Sequence, residues 1–216
     1  MSAAYSPGER DAVYRVIRER RDMRHFTRDP VDPAVLRRLL EAAHQGPSVG
    51  YMQPWRFIRI ADRELRLAIH ALAEREHKAT AEACVSRTDE VLRLKLDGIR
   101  ECGELLVAAL CEGRERYVLG RRTLPEMDLC SVACAIQNLW LAARAEGLGL
   151  GWVSLFEPDE LARLLDFPEG ARPMAVLCLG HVEAFYPEPM LETAGWDHRR
   201  NLDELVFENR WGRAVP

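Results

Sequence analysis

Apolar residues recur along this chain in two rhythms, and the alternation between them lays out its elements. Val13, Val16 and Ile17, with Tyr14 beside them, stand at helical spacing and predict a helix over Glu9–Arg21 with that stripe turned inward. Asp32-Pro33 has the form of a helix start, an N-cap followed by proline at the first position, and Leu36, Leu39, Leu40 and Ala43 make its stripe. Asp62 heads a third helix, which buries Leu65, Ile69, Leu72 and Ala73. The longest periodic run is Glu126–Glu146. Leu129, Val132, Ala133, Ile136, Leu139, Trp140 and Ala143 share one face, and Cys130, Cys134, Leu141 and Ala142 widen it. A helix so apolar all round is a core helix or a subunit interface. Pro158-Asp159 opens another helix with Leu161, Leu164 and Leu165, and a short one is expected at Leu202–Phe207.

Between the helices lie β-branched and aromatic runs that read as strands: Trp55–Ala61, Leu105–Cys111, Trp152–Phe156 and Pro173–Val182, the last central. Residues 78–100 are polar, with little sustained apolar periodicity, and suit either a lid or partner-facing arm or an ordinary solvated helix. Gly113–Pro125 is a polar, arginine-rich loop, and Phe185–Asp197 reads as extended, within a C-terminal arm of about 183–216. Gly147 caps the long helix. The run from Gly147 to Gly151 is not a dinucleotide loop, because it follows a helix and precedes a strand and lacks the Gly-x-Gly-x-x-Gly spacing. The pattern predicts an α+β domain with four or five strands inside a layer of helices.

Bulk properties narrow the function. At 216 residues, 48% hydrophobic and 30% charged, the chain suits one domain, 1–216, with a real core. A formal charge of −4 argues against nucleic acid or an anionic membrane as partner, so the arginines act locally. The six cysteines form no Cys-x-x-Cys pair and no zinc spacing with histidine; they read as reduced, mostly buried thiols of a cytoplasmic protein, and no metal is implied. The N-terminus lacks the apolar stretch of a signal peptide, and Leu129–Ala143 is too short to span a bilayer.

The candidate chemistry lies in two stretches. Arg20–Phe26 packs three arginines around one carboxylate, Asp22, which suits a phosphate because the guanidinium fork matches its geometry. The competing account is a helix ending in cations that its own dipole favours. Gly46–Trp55 is a Gly-Pro-Ser loop closing on an aromatic, the composition of a wall around a flat ligand.

Together, Arg20-Arg21-x-x-Arg24-x-Phe26 and Pro47-Ser48-x-x-x-x-Gln53-Pro54-Trp55 resemble the opening of the nitroreductase-like FMN proteins. Most of that family has Ser or Thr after the paired arginines, where this chain has Asp22. That departure, with Gly50–Trp55, Leu94–Glu101 and Gly151-Trp152-Val153-Ser154, resembles the branch of 5,6-dimethylbenzimidazole synthases, over about Arg20 to Gly212. The resemblance implies a central, mostly antiparallel sheet surrounded by helices, in an interlocked homodimer with two FMN sites at the interface. It places Arg20, Arg21 and Arg24 at the phosphate, ribityl chain and pyrimidine edge, and Ser48 and its loop against the isoalloxazine. Met23, Met52, Lys95 and Leu96 fall among the flavin-contacting positions. Ser154, Leu155 and Phe156 run along the far side of the rings, and Arg199 or Arg200 adds a phosphate contact. Gln53 either meets the ring or dimer contact or braces the loop.

In that branch reduced FMN and dioxygen are consumed, a ribityl carbon becomes the bridging carbon of the benzimidazole, and erythrose 4-phosphate leaves. Proton movement on the ribityl carbons needs a positioned base. Asp22 is the candidate base, against a plain ion pair with a neighbouring arginine. Ser154 is a candidate hydrogen-bonding partner to the ribityl chain, against a strand residue with a satisfied hydroxyl. His25 braces the turn or exchanges protons, and His44 and His181 read as structural. Reduced flavin is expected from a separate reductase. Three alternatives stand beside the synthase: an NAD(P)H-dependent nitroreductase or flavin reductase, a dehalogenase of halogenated tyrosines, and a flavin-binding module without turnover. Tyr51-Met52 replaces the polar pair usual in nitroreductases and argues against an ordinary nitroaromatic substrate.

Overall fold

The structure, a computed structural model, describes residues 4–213 and Val215. The chain divides into two compact units, one ending at Phe185 and one beginning at Tyr186. The first is built on β1 (Trp55–Arg59), β2 (Glu104–Leu110), β3 (Gly149–Val153) and β4 (Arg172–Gly180), in the order β1-β2-β4-β3 with every neighbour antiparallel. A single parallel bridge, Asp22 to Leu150, borders β3 on its other side. This is the α+β arrangement that the pattern predicts, with the mostly antiparallel sheet that the resemblance implies.

Side-chain alternation sorts the core into two layers. Leu106, Ala108, Leu110, Ala175, Leu177 and Leu179 point to one face. There they meet α2 (Pro33–His44) and α6 (Met127–Ala145) through Leu36, Leu39, Val132, Ile136 and Leu139. Leu105, Val107, Val176 and Cys178 point to the other face. They meet α3 (Arg63–Ala83), α5 (Gly98–Glu101) and α7 (Pro158–Leu164) through Ile69, Ala73, Ile99 and Leu161. Covered on both sides, β2 is buried at every position, which is why its sequence is a continuous apolar run from Leu105 onward. The register slips where Ala108 faces Ala175 but Ala109 faces Pro173, since a proline without an N–H is tolerated at a bulge.

Several expectations are corrected. Helix α1 (Pro7–Glu19) is fixed by a Ser6–Glu9 capping box, but its apolar residues do not face inward. Val13, Tyr14 and Ile17 are 51, 66 and 49% exposed and Val16 is half-buried. Periodicity reveals an apolar stripe, not the surface that covers it. Strand β3 runs from Gly149 to Val153 rather than Trp152 to Phe156, because its glycines are strand residues against which another backbone packs. Residues 78–100 are not one polar helix: α3 continues to Ala83, α4 (Thr88–Leu92) follows, and Val91, Leu96 and Ile99 are buried. Of the cysteines, Cys102, Cys111 and Cys178 are buried, Cys84 and Cys134 half-buried and Cys130 exposed; all six are free thiols.

In the arginine-rich loop, Arg114 and Arg121 converge on buried Asp128 at the head of α6, at 2.9 and 3.1 Å. Their charge is spent on structure. The second unit holds α8 (Met190–Thr193) and, in place of the helix expected at Leu202–Phe207, one 3-10 turn at Leu202–Glu204. Among the described residues no helix is long and apolar enough to cross a membrane.

Candidate active site

Helix α1 stops at Arg20, whose extended backbone turns the chain out alongside β3. The Met23 N–H then donates to the Leu150 carbonyl at 3.0 Å, completing the parallel bridge at Asp22. This approach depends on two glycines of β3. A Cβ on Gly151 would collide with the Met23 carbonyl oxygen, and one on Gly149 would sit 3.0 Å from Met23 Cγ. The glycine run is there for close backbone packing, not for a phosphate loop.

Trp140 of α6 holds the arginines from the other side. The Arg20 guanidinium lies 4.5 Å from the centroid of its ring, and its indole N–H donates to the Arg21 carbonyl at 3.1 Å. Its ring centroid is 6.3 Å from that of Trp152 on β3. Arg21 itself donates to the Arg18 and Arg20 carbonyls, each at 2.8 Å. From sequence Trp140 is legible only as a core position. The signal that marks it is chemical: a buried indole N–H must find an acceptor.

Asp22 sits at the centre. One carboxylate oxygen is 2.5 Å from Arg24 Nη2, and the other accepts the Trp152 N–H at 2.9 Å. Arg24 Nη2 also donates to the Trp152 carbonyl at 3.2 Å, so strand backbone and ion pair form one network. Burial pushes the Asp22 carboxyl above the usual carboxylate range, outweighing the opposing pull of Arg24, the Trp152 N–H and Arg20. Asp22 is therefore ion-paired and yet takes a proton more readily than an ordinary aspartate.

That shift has a stability consequence. A carboxyl whose folded pKa exceeds its unfolded value, about 3.9, opposes folding at higher pH and is relieved by protonation as pH falls through the folded value. Asp22→Asn is expected to hold or gain stability at pH 7, with the gain shrinking toward about pH 4, near that unfolded value. Urea midpoints across that range check it. A variant less stable at pH 7 would mean that the Arg24 pair outweighs burial.

The second stretch meets α6 elsewhere. Val49–Tyr51 forms a 3-10 turn, and Gly50, Tyr51 and Gln53 take positive φ of 54, 55 and 50°. Two non-glycine residues in the left-handed region mark a strained loop. Two of its ties are internal, the Gln53 N–H donating to Ser48 Oγ at 3.0 Å and Gln53 Nε2 to the Tyr51 carbonyl at 3.4 Å, and one reaches α6, the Val49 N–H donating to Ser131 Oγ at 3.0 Å. The Ser48 hydroxyl and Gln53 amide thus brace the loop. Met52 is buried while Tyr51 is 84% exposed.

The remaining positions separate. Ser154 lies beyond the end of β3, exposed, and its hydroxyl has no intramolecular partner among the described residues, so it is not the satisfied strand hydroxyl considered from sequence. Leu155 is half-buried, and Phe156 and Leu96 belong to the core beneath the sheet. Lys95 is exposed, but its segment reaches the arginine turn: a Cβ on Gly98 would meet the Phe26 ring at 3.0 Å and the Arg24 carbonyl at 3.5 Å. Arg199 and Arg200 lie in the second unit, exposed, ahead of its 3-10 turn. His44 accepts the Trp55 indole N–H at 3.3 Å. Among the described residues no group of three His, Cys, Asp or Glu is placed to hold a metal ion.

Known proteins resemble this chain over most of its length. A 5,6-dimethylbenzimidazole synthase from Rhodospirillum rubrum is 41% identical over 199 residues, covering 91% of this chain and 94% of that protein. One from Rhodobacter capsulatus is 41% identical over 189 residues, covering 87 and 91%. The fold is shared with oxidized iodotyrosine deiodinase bound to FMN and 3-iodo-L-tyrosine, at a TM-score of 0.72 and 22% identity, over 92% of this chain and 98% of that one. Residues 17–181, from the end of α1 through the arginine turn and all four strands, match the model of the nitroreductase family, and the chain belongs to that family.

Proposed function

We propose that this chain is a 5,6-dimethylbenzimidazole synthase, which takes reduced FMN and dioxygen and releases the benzimidazole lower ligand of cobalamin with erythrose 4-phosphate. The observation that carries the reading is Asp22, a carboxyl whose pKa burial raises, bonded to the β3 backbone in the midst of three arginines. Relatives bearing that name, at 41% identity over most of both chains, support it.

The residues present fit the flavin. Arg20, Arg21 and Arg24 outnumber the single carboxylate Asp22, leaving net positive charge for a phosphate, and half-buried Trp152 offers a flat surface beside them. Reduced FMN, when bound, supplies the rings and ribityl chain on which dioxygen acts. The chain's own part is to hold and deliver protons. Asp22, kept in place by Arg24 and the Trp152 N–H, accepts a proton from a ribityl carbon and returns it. Ser154, with its hydroxyl open to a ligand, orients the ribityl oxygens.

Two supporting roles belong to the same reading. The exposed stripe Val13, Tyr14 and Ile17 of α1 is covered by a second copy in a homodimer, which buries apolar surface that one chain leaves in water. A separate flavin reductase supplies the reduced FMN, and the protein works in the cytoplasm, where its six free thiols stay reduced.

The decisive experiment is anaerobic loading with reduced FMN, then admission of air, with flavin and benzimidazole quantified together. Product should appear in proportion to the flavin lost, and NAD(P)H should be consumed only when a flavin reductase is added. Steady NAD(P)H oxidation by the protein and FMN alone, with the flavin intact, would instead establish a nitroreductase or flavin reductase.

A further inference from the structure

Away from the arginine turn, a cavity of about 480 Å³ opens between the Arg28–Pro30 strap, the first turn of α3 and the α5–β2 junction. Four of its lining residues are arginines, Arg28, Arg63, Arg66 and Arg100, against one carboxylate, Glu101. That excess stands out in a chain whose formal net charge is −4.

Its frame is built. Arg66 forms the floor, donating through Nε to the Ile60 carbonyl at 3.1 Å, Nη1 to Cys102 at 2.7 Å and Nη2 to Gly103 at 3.3 Å. The strap is seated because Gly103 lacks a side chain: a Cβ there would lie 2.6 Å from the Asp29 carbonyl oxygen. The Thr27 N–H donates to the His181 carbonyl at 2.9 Å and the Thr27 hydroxyl to Asp29 at 2.7 Å, which spends the nearest acid of the strap locally. Arg28, Arg63 and Arg100 come from three separate segments, and their guanidiniums have neither an ion pair nor a hydrogen bond among the described residues.

Unpaired guanidiniums converging on a concavity repel one another, and an anion able to bridge them relieves that repulsion. Their forked donors match phosphate oxygens best, and the volume falls in the range of small-ligand sites. We infer that this cavity is a second anion site, distinct from the arginine turn, which takes a phosphate-bearing small molecule with two or more negative charges. Arg28, Arg63 and Arg100 contact the anion, and Arg66 keeps the floor rigid.

Pyrophosphate is the probe, titrated calorimetrically with excess oxidised FMN present and ionic strength matched by sodium chloride. One saturable site is expected, with inorganic phosphate about tenfold weaker, because one phosphate engages fewer charge-assisted contacts. Arg63→Gln with Arg100→Gln, at two exposed residues, should keep the parent circular-dichroism spectrum and weaken pyrophosphate at least tenfold. The same titration of Arg21→Gln should match the parent. Absence of saturable heat, or equal isotherms for the parent and the double variant, would overturn the site. Loss of binding in Arg21→Gln alone would move the anion to the arginine turn and equally refute a second site.

Discussion

Asp22→Asn is expected to lower the yield of 5,6-dimethylbenzimidazole per bound flavin by roughly 10²–10⁴, the usual worth of a positioned acid or base. FMN affinity should hold or rise. The amide keeps the shape of the carboxyl and can still accept the Trp152 N–H, now 2.9 Å from Asp22. What disappears is the proton acceptor and one negative charge among Arg20, Arg21 and Arg24, so a phosphate meets more net positive charge. Reduced flavin in the variant should be reoxidised by air with its carbon skeleton intact. Chromatography of flavin and product, beside an FMN titration, separates the outcomes. Parallel loss of binding and product would make Asp22 a structural ion pair, and product at the parent rate would place the base elsewhere. Ser154→Ala should give a milder loss, since an exposed hydroxyl can orient a ligand but does not take the proton.

The parts of the fold legible in the sequence are those where local chemistry and burial agree. Asp32 and Asp62 are readable as N-caps because each side chain serves only its own helix start. Their carboxylates accept the Ala34 and Leu65 N–H groups at 2.7 and 2.9 Å. β2 and most of β4 announce themselves because both faces are covered, so nearly every position is apolar. α1 misleads for the opposite reason. Its stripe at Val13, Tyr14 and Ile17 is as periodic as that of a core helix, and periodicity carries no information on whether the cover comes from the same chain.

At the site, the arginine turn is legible because three cations and an acid within five residues are chemically conspicuous. Its supports are not. Trp140 is 120 positions from Arg20 in the chain and reaches it only because α6 lies beside the end of α1. Likewise the arginines of the 113–125 loop look in sequence like those of the turn, and only the fold shows Arg114 and Arg121 bound to Asp128. Ser48 shows the converse. Its place in the loop is legible, but its hydroxyl accepts the Gln53 N–H in a loop held by two left-handed non-glycine residues, which spacing alone does not disclose.

Gly151→Ala should be the most damaging single methyl in the first unit. The added Cβ would collide with the Met23 carbonyl oxygen, which belongs to backbone and cannot rotate away. The arginine turn must therefore lift from β3, opening the Met23 N–H to Leu150 bond and taking Asp22 from the Trp152 N–H. Overpacking of this kind costs about 1–3 kcal/mol, and the displaced turn should lose FMN affinity and product together, unlike Asp22→Asn. Two other glycine-to-alanine changes set the scale. At Gly149 the new Cβ meets only side-chain atoms, Val182 Cγ1 at 2.6 Å and Met23 Cγ at 3.0 Å, which can shift, so a smaller loss is expected. At Gly8, in the first turn of α1, nothing lies within 4 Å. There alanine should be neutral or stabilising by up to about 1 kcal/mol, because it restricts the unfolded chain. Urea unfolding of the three variants, with FMN titration of each, reads the order directly. If Gly151→Ala unfolds at the parent midpoint and binds FMN as tightly, the contact between β3 and the arginine turn does not hold the site together.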